Sequence, residues 1–261
     1  MKKLVRTHGD LVEEERWDID YHSPPEKIKR YPESRRIKVS KLATVSKQKR
    51  KPRDKPEEKF RYIDISSVNV KTGVIEEAQE LIGEEAPSRA RMVVRAYDVI
   101  VSTVRPTRGA IAVIPEELDN EICSTGFCVL RPKRETNPYY LHCVLKLDST
   151  AEQFRKFSTG TSYPAILDGD VLKTIVPGAS KEEQDAISLT VRSAYEERKR
   201  LLEKAERKFQ GAMDTTRTFL AEPSATVSDL EVPDTDGLSR LSIDQISEAR
   251  QSLNISDATL L

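Results

Sequence analysis

The chain has 261 residues, of which 37% are apolar and 33% carry a charge. Its 43 basic and 43 acidic side chains cancel, so the formal net charge is zero. This length can hold one or two domains with a buried core. No apolar run is long enough to cross a bilayer, and three cysteines are too few for a disulfide framework. These properties exclude a membrane protein and a secreted disulfide scaffold, and they predict a cytoplasmic protein.

The charge is distributed unevenly along the chain. Residues 27–61 contain 15 basic and 4 acidic side chains, a net charge of +11. Residues 222–261 contain 2 basic and 8 acidic ones, a net charge of −6. The basic side chains are densest between Lys47 and Arg53. A basic loop of this kind attracts a phosphate backbone, but a solvated linker has the same composition.

The first half of the chain has mainly β patterns. Residues 1–25 show little periodicity and predict an irregular lead-in, and residues 36–45 fit either a strand or a short helical turn. Short alternating or β-branched runs, bounded by Pro or Gly, then predict strands. These runs are 60–65, 91–95, 97–104, 109–114 and 127–130. No long helix separates the middle runs, so we expect a compact mixed or antiparallel sheet.

Helical patterns follow the strands. Residues 138–147 and 149–157 each predict a helix. A Pro-free stretch then runs from Lys181 to about Phe219, with an apolar stripe at alternating four- and three-residue steps. The stripe consists of Ile187, Val191, Ala194, Leu201, Ala205, Phe209 and Ala212. Such a helix is roughly 59 Å long, so it needs a partner helix. Residues 222–261 predict a disordered acidic tail.

No pattern in the sequence indicates catalysis. A single His on an apolar helix, as at His142, is more often structural than catalytic. Cys123 and Cys128 lack a second Cys/His pair for zinc, and no phosphate-binding glycine loop or nucleophile elbow is present. Asp98 precedes a strand and fits either a metal ligand or a turn acceptor, of which the turn acceptor is favoured. The sequence predicts a protein without catalytic residues, metal or cofactor.

The order of six short motifs is more informative than any one of them. They are Tyr62–Ile65 with Thr72-Gly73, Pro87–Arg91, Asp98–Pro106, Ser124–Phe127, Gly160–Pro164, and Val176-Pro177 followed by Gln184. In this order they resemble the target recognition domain of specificity subunits from type I restriction-modification systems, over roughly residues 16–220. That family typically carries two such domains, each followed by a long helix. The resemblance therefore implies a half-subunit that pairs with a copy of itself or with a second specificity subunit.

Together with the strand and helix patterns, the resemblance implies an α+β fold. A compact mixed β-sheet target recognition domain would be followed by one long coiled-coil-type helix. The expected segments are an irregular lead-in at 1–25, the recognition domain at 26–179, a dimerisation and spacer helix at 180–221, and the acidic tail at 222–261. The implied role is a non-catalytic reader of double-stranded DNA. Its implied partners are an adenine-specific DNA methyltransferase subunit and, through it, an ATP-dependent restriction subunit.

Three groups of residues are candidates for DNA contact. The basic segment is expected to bind phosphates through Lys47, Lys49, Arg50, Lys51 and Arg53. Arginines in loops beside strands are candidates for reading guanine, namely Arg89, Arg91, Arg105 and Arg108. Ser162 and Tyr163 lie in a turn and would supply a hydroxyl and a stacking face. Alternatively, Arg91 and Arg105 pair with acids such as Asp64 or Asp98, and Tyr163 forms a packed corner.

Two other functions fit parts of the sequence. A stand-alone DNA-modifying or DNA-cleaving enzyme would need a metal-binding acid cluster or a methyl-donor motif, and neither pattern is visible. A coiled-coil module for protein assembly would use its β domain to bind protein, which leaves the basic segment and the arginine-bearing loops without a role. The sequence favours the DNA reader over both.

Overall fold

A computed structural model describes residues 19–22, 25–160 and 163–221. Within these ranges there are ten strands and six α-helices. The strands are β1 (Arg36–Lys38), β2 (Ala43–Val45), β3 (Lys59–Ile63), β4 (Gln79–Ile82), β5 (Ala90–Val93), β6 (Val99–Ser102), β7 (Ile111–Val113), β8 (Ile122–Ser124), β9 (Phe127–Pro132) and β10 (Ile175–Pro177). The helices are α1 (Ile19–His22), α2 (Val39–Leu42), α3 (Pro138–Leu145), α4 (Asp148–Phe157), α5 (Asp168–Lys173) and α6 (Lys181–Ala221).

Short 3-10 helices form many of the connections. They are Lys27–Arg30, Glu33–Arg35, Pro52–Asp54, Ile65–Ser67, Gly83–Glu85, Pro106–Arg108 and Glu116–Leu118. The segment 36–45, which fits either a strand or a helical turn by sequence, contains both, since α2 lies between β1 and β2. Most of the expected lead-in and all of the expected acidic tail lie outside the described residues.

The strands form three sheets. One four-stranded antiparallel sheet has the order β2-β9-β6-β7, and β1 pairs with β10 in a two-stranded sheet. The other four-stranded sheet has the order β4-β3-β8-β5, in which β3 and β8 run parallel. The turn at Thr125 and Gly126 carries the chain from one large sheet to the other. The predicted α+β class, with mixed β-sheet followed by a long helix, is confirmed.

Strand β6 lies between the two main clusters of the core. It is hydrogen-bonded to β7 on one side and to β9 on the other, and all four of its residues are buried. Successive side chains of a strand point to opposite faces. Val99 and Val101 accordingly pack in a cluster with α3 and α4, whereas Ile100 packs in a second cluster with residues of β3 and β5. Burial on both faces explains why this strand is a continuous apolar run.

Asp98 is a structural acid at the entrance to β6. Its side chain is 2% exposed, and its carboxylate accepts the backbone N–H of Arg95 at 2.9 Å. It also accepts both Nε and Nη2 of Arg131 on β9, at 3.0 and 2.9 Å. The structure therefore places Asp98 in the favoured role of turn acceptor, held by a bidentate ion pair.

The N-terminal part of α6 packs on the β domain. The side chain of Gln184 accepts the backbone N–H of Asn137 at 3.0 Å, and the Tyr195 hydroxyl donates to the Thr72 carbonyl at 2.5 Å. The chain divides into two compact units, and the boundary lies inside this helix, between Glu197 and Arg198. None of the helices among the described residues is long and apolar enough to cross a membrane.

Replacing Arg131 tests the ion pair that anchors β6. In the Arg131→Ala variant the Asp98 carboxylate stays buried without its bidentate partner, and we expect a loss of about 2 kcal/mol in the free energy of unfolding. Urea denaturation measures this loss. Arg134→Ala is the matched control, because the Arg134 side chain is 97% exposed and its loss changes stability by no more than about 0.5 kcal/mol. Equal effects in the two variants would contradict the anchoring role.

Candidate nucleic-acid interface

Five segments lie side by side along the two large sheets, and we call this surface the loop edge. Its segments are 47–51, 89–93, 103–105, 124–126 and 163–166. Neighbouring segments are joined by backbone hydrogen bonds. The joining bonds are Arg50 N to Arg91 O (2.9 Å), Thr125 N to Arg89 O (2.9 Å), Thr103 N to Gly126 O (2.8 Å), Ile166 N to Thr103 O (3.0 Å) and Arg105 N to Pro164 O (2.7 Å).

The basic segment enters this surface as an added strand-like stretch beside β5. Lys49 forms an antiparallel bridge with Met92, and Val93 N–H donates to the Gln48 carbonyl at 3.0 Å. Lys47, Lys49 and Lys51 are exposed. The pairing with β5 therefore carries these lysines, which are far from Arg89 and Arg91 in sequence, to the same edge.

The two arginines of the basic segment also have structural contacts. Arg50 Nη2 donates to the Asn120 carbonyl at 3.0 Å, and Arg53 Nε donates to the Ala86 carbonyl at 3.0 Å. Pro52 is buried at the start of the short helix Pro52–Asp54, which contains Arg53. A groove of about 220 Å³ lies beside this helix and is lined by residues that include Lys51, Arg53 and Arg91. These two arginines hold the segment in place, which leaves the three lysines as its most accessible charges.

The Arg89 side chain lies close to the turn between β8 and β9. A Cβ added to Gly126 would lie 2.5 Å from Arg89 Nη2 and 2.9 Å from Ile65 Cδ1. A side chain at this position would displace the guanidinium, which is the mobile end of Arg89. Phe127, which follows it, is in the core. The turn between β8 and β9 therefore lies against an arginine of the loop edge.

Arg105 and Tyr163 form a pair at the other end of the loop edge. Arg105 has a left-handed backbone, with φ of +48°, which is uncommon for a residue with a side chain. Its guanidinium carbon lies 4.9 Å from the centre of the Tyr163 ring, a cation–π contact. Tyr163 is 71% exposed, so it is not a packed corner. A strained backbone and an exposed stacked pair are typical of a surface arranged for binding.

The remaining candidates for DNA contact are Arg108, Ser162 and Arg91. Arg108 is exposed at the end of the short helix Pro106–Arg108, and Ser162 lies outside the described residues. Arg91 donates its Nε to the Ser88 carbonyl at 2.9 Å. The Asp98 carboxylate accepts two hydrogen bonds from Arg131, so the alternative in which Arg91 or Arg105 pairs with Asp98 is wrong.

The His and Cys side chains that are candidates for catalysis by residue type belong to the core. His142 is buried, with Nε2 at 3.1 Å from the Ile111 carbonyl oxygen. Burial and the nearby Lys146 charge lower its pKa to about 4, so the imidazole is neutral at pH 7. Burial raises the pKa values of the Cys123 and Cys128 thiols. Among residues 25–160 and 163–221, no three His, Cys, Asp or Glu side chains are grouped as metal ligands.

Comparison with known proteins gives several similar chains, three of which are described. The type I restriction enzyme HindI specificity subunit of Haemophilus influenzae is 27% identical over 107 residues, which cover 40% of this chain and 23% of that protein. The crystal structure of the HsdS subunit from Thermoanaerobacter tengcongensis is 34% identical with a TM-score of 0.56, over 74% of this chain and 51% of that one. No protein-family model matches.

A further solved structure concerns complex assembly and conformational transition of the type I R-M system. It is also 34% identical, with a TM-score of 0.57, over 77% of this chain and 51% of that one. The chain is a relative of type I restriction-modification specificity subunits. The family resemblance predicted from the order of the motifs is therefore confirmed.

The chain spans about half the length of the solved specificity subunits that it matches and about a quarter of the curated relative. The expectation that it is not itself an enzyme agrees with these relatives, which are specificity subunits. Sequence reasoning missed Thr103, the residue at the centre of the loop edge. Thr103 joins two segments through its backbone, and a backbone contact leaves no signal in the side-chain pattern.

The Arg105–Tyr163 pair of this specificity-subunit relative can be tested for base reading. Selection from a randomised DNA duplex should enrich a short motif with the wild-type chain. In Tyr163→Ala, Arg105 loses its stacking platform, so we expect enrichment to relax at one base position. The free energy of unfolding should change by no more than about 0.5 kcal/mol, because the ring is exposed. Tyr163→Phe keeps the ring and is the control, and unchanged enrichment in Tyr163→Ala would contradict this role.

Proposed function

We propose that this chain is the non-catalytic DNA-recognition component of a type I restriction-modification enzyme. It reads one half-site of a bipartite target through the loop edge. The observation that carries this proposal is the hydrogen-bonded row of segments that brings the basic segment, Arg89, Arg91 and Arg105 to one surface. The similarity of the chain to specificity subunits supports the same role.

The loop edge makes two kinds of contact with DNA, to phosphates and to bases. The exposed lysines of residues 47–51 neutralise phosphates, which positions the domain without reading sequence. Arg89, Arg91 and Arg105 present guanidinium groups, which can bind the O6 and N7 atoms of guanine in a bidentate manner. Loops held at the end of a sheet reach into a groove while the sheet keeps their spacing constant.

Helix α6 supplies the spacer and the pairing surface. Its 41 residues give a length of roughly 60 Å. Leu201, Phe209 and Ile187 of the apolar stripe are exposed, so a second helix can cover them. Pairing with a copy of the chain would produce a two-fold symmetric reader and a palindromic bipartite site. Pairing with a second specificity subunit would produce an asymmetric site.

The proposed function also includes the docking of partner subunits onto this chain. The specificity component holds an adenine-specific methyltransferase subunit, and through it an ATP-dependent restriction subunit, over the recognised DNA. The relatedness to a structure of an assembled type I system supports this arrangement. The chain itself then needs no cofactor, since the chemistry belongs to its partners.

The salt dependence of DNA binding tests the phosphate contacts. We expect the Lys47→Gln/Lys49→Gln/Lys51→Gln variant to bind a random-sequence duplex more weakly, with the slope of log K against log [salt] reduced by about 3, because each phosphate contact contributes about 0.9. Fluorescence anisotropy across a salt series measures this slope. Arg50 and Arg53 are kept, because both hold the segment to the domain.

The control for this experiment removes the same number of charges elsewhere. Lys41→Gln/Lys133→Gln/Arg134→Gln changes three exposed residues outside the loop edge. Its salt slope should equal that of the wild-type chain. A slope that is unchanged in the loop-edge variant, or reduced equally in both variants, would refute the proposed DNA interface.

Self-association tests the pairing surface on α6. We expect the wild-type chain to dimerise at micromolar concentration and Leu201→Glu/Phe209→Glu to be monomeric, because two charges would be buried between the helices. Sedimentation equilibrium distinguishes the two states. Glu203→Ala/Gln210→Ala alters the opposite face of the helix and should still dimerise. A monomeric wild-type chain would rule out self-pairing.

A further inference from the structure

A second surface lies at the opposite end of β6 and β9 from the loop edge. We call it the cationic groove. It is an open groove with a volume of about 590 Å³, bordered by the turn before β6, the end of β9, the start of α3 and Arg192 of α6. Its lining residues are Arg95, Ala96, Tyr97, Asp98, Arg131, Pro132, Lys133, Thr136, Asn137, Pro138, Tyr139 and Arg192.

The strand register separates this groove from the loop edge. In the antiparallel pair of β6 and β9, Ser102 lies opposite Phe127 at the loop edge, and Val99 lies opposite Leu130 near the groove. Three steps along a strand cover about 10 Å. None of the residues that line the groove belongs to the five segments of the loop edge.

The groove presents an excess of positive charge. The lining contains one acid, Asp98, and four basic residues, which gives a net charge of +3. The basic residues are Arg95, Arg131, Lys133 and Arg192. Asp98 is buried and occupied by its bonds to Arg131. Asp119 lies nearby, at 3.9 Å from Arg95, and both side chains are partly exposed. With Asp119 and with Glu116, which accepts a hydrogen bond from Tyr97, also counted, the net charge is +1, so the groove is complementary to an anionic occupant.

Two tyrosines give the groove a rigid aromatic surface. Tyr97 has a left-handed backbone with φ of +68°, and its side chain is 40% exposed while its hydroxyl donates to the Glu116 carboxylate. The Arg192 guanidinium lies 5.1 Å from the centre of the Tyr139 ring. Arg and Tyr are enriched at the centres of protein–protein interfaces, because they contribute large contact area at low entropic cost.

We infer that the cationic groove binds an acidic segment of a protein partner. Carboxylate side chains would pair with Arg95 and Arg192, whose planar guanidinium groups match the geometry of a carboxylate. The tyrosines would pack against the carbon stems of the same segment. This inference rests on the docking part of the proposed function and names the surface that performs it.

Reversal of charge in the groove tests the inference on the full-length chain. A labelled hexaglutamate peptide serves as the probe, and fluorescence anisotropy measures its binding. We expect Arg95→Glu/Arg192→Glu to weaken binding at least about tenfold, because two charge-assisted contacts become repulsive. Lys41→Glu/Arg134→Glu makes the same change in net charge outside the groove and should bind the peptide within about twofold of wild type. Circular dichroism confirms that both variants are folded.

The outcomes separate this inference from DNA recognition. Peptide binding that is unchanged in the groove variant, or weakened equally in the control, would overturn the groove as an acidic-segment site. Duplex binding should be the same in the groove variant as in wild type. If the groove variant weakens duplex binding as much as the Lys47→Gln/Lys49→Gln/Lys51→Gln variant, the groove is a nucleic-acid surface and the inference fails. Loss of duplex binding in the lysine variant alone leaves the groove result unaffected.

Discussion

The ladder of hydrogen bonds on both sides of β6 is the constraint on which the rest of the structure depends. Because β7 and β9 satisfy its backbone and two apolar clusters cover its faces, this strand is fixed in the centre of the domain. Thr103 extends the ladder beyond the strand, since it donates to Gly126 and accepts from Ile166. Asp98 fixes the other end through Arg131. One buried strand thereby positions both surfaces.

The two surfaces use positive charge in different ways. At the loop edge, exposed lysines lie on a strand-like segment beside arginines on tight turns, an arrangement suited to a long, regular polyanion. In the cationic groove, Arg192 lies over the Tyr139 ring beside a recess of about 590 Å³, which suits a short segment of defined shape. The basic segment is not visible in the net charge of zero, because acids elsewhere in the sequence balance it.

Local patterns predicted the elements that local forces determine. The β-branched run of β6 and the Pro-free stretch of α6 were recognisable because their apolar periodicity extends over many residues. The strands Ile122–Ser124 and Ile175–Pro177 were missed, since three residues carry no period and each depends on a distant partner. The sequence also indicated Arg105 and Tyr163 separately but not their stacking. That contact depends on a backbone bond between Arg105 and Pro164.

Hydrogen exchange with and without duplex DNA tests the central claim most directly, namely that the two ends of β6 have separate functions. A random-sequence duplex at low salt should slow exchange in residues 47–53, 89–93, 103–105 and 163–166, and leave residues 95–98 and 131–139 unchanged. Protection that is centred on residues 95–98 and 131–139, with none at the loop edge, would contradict the account.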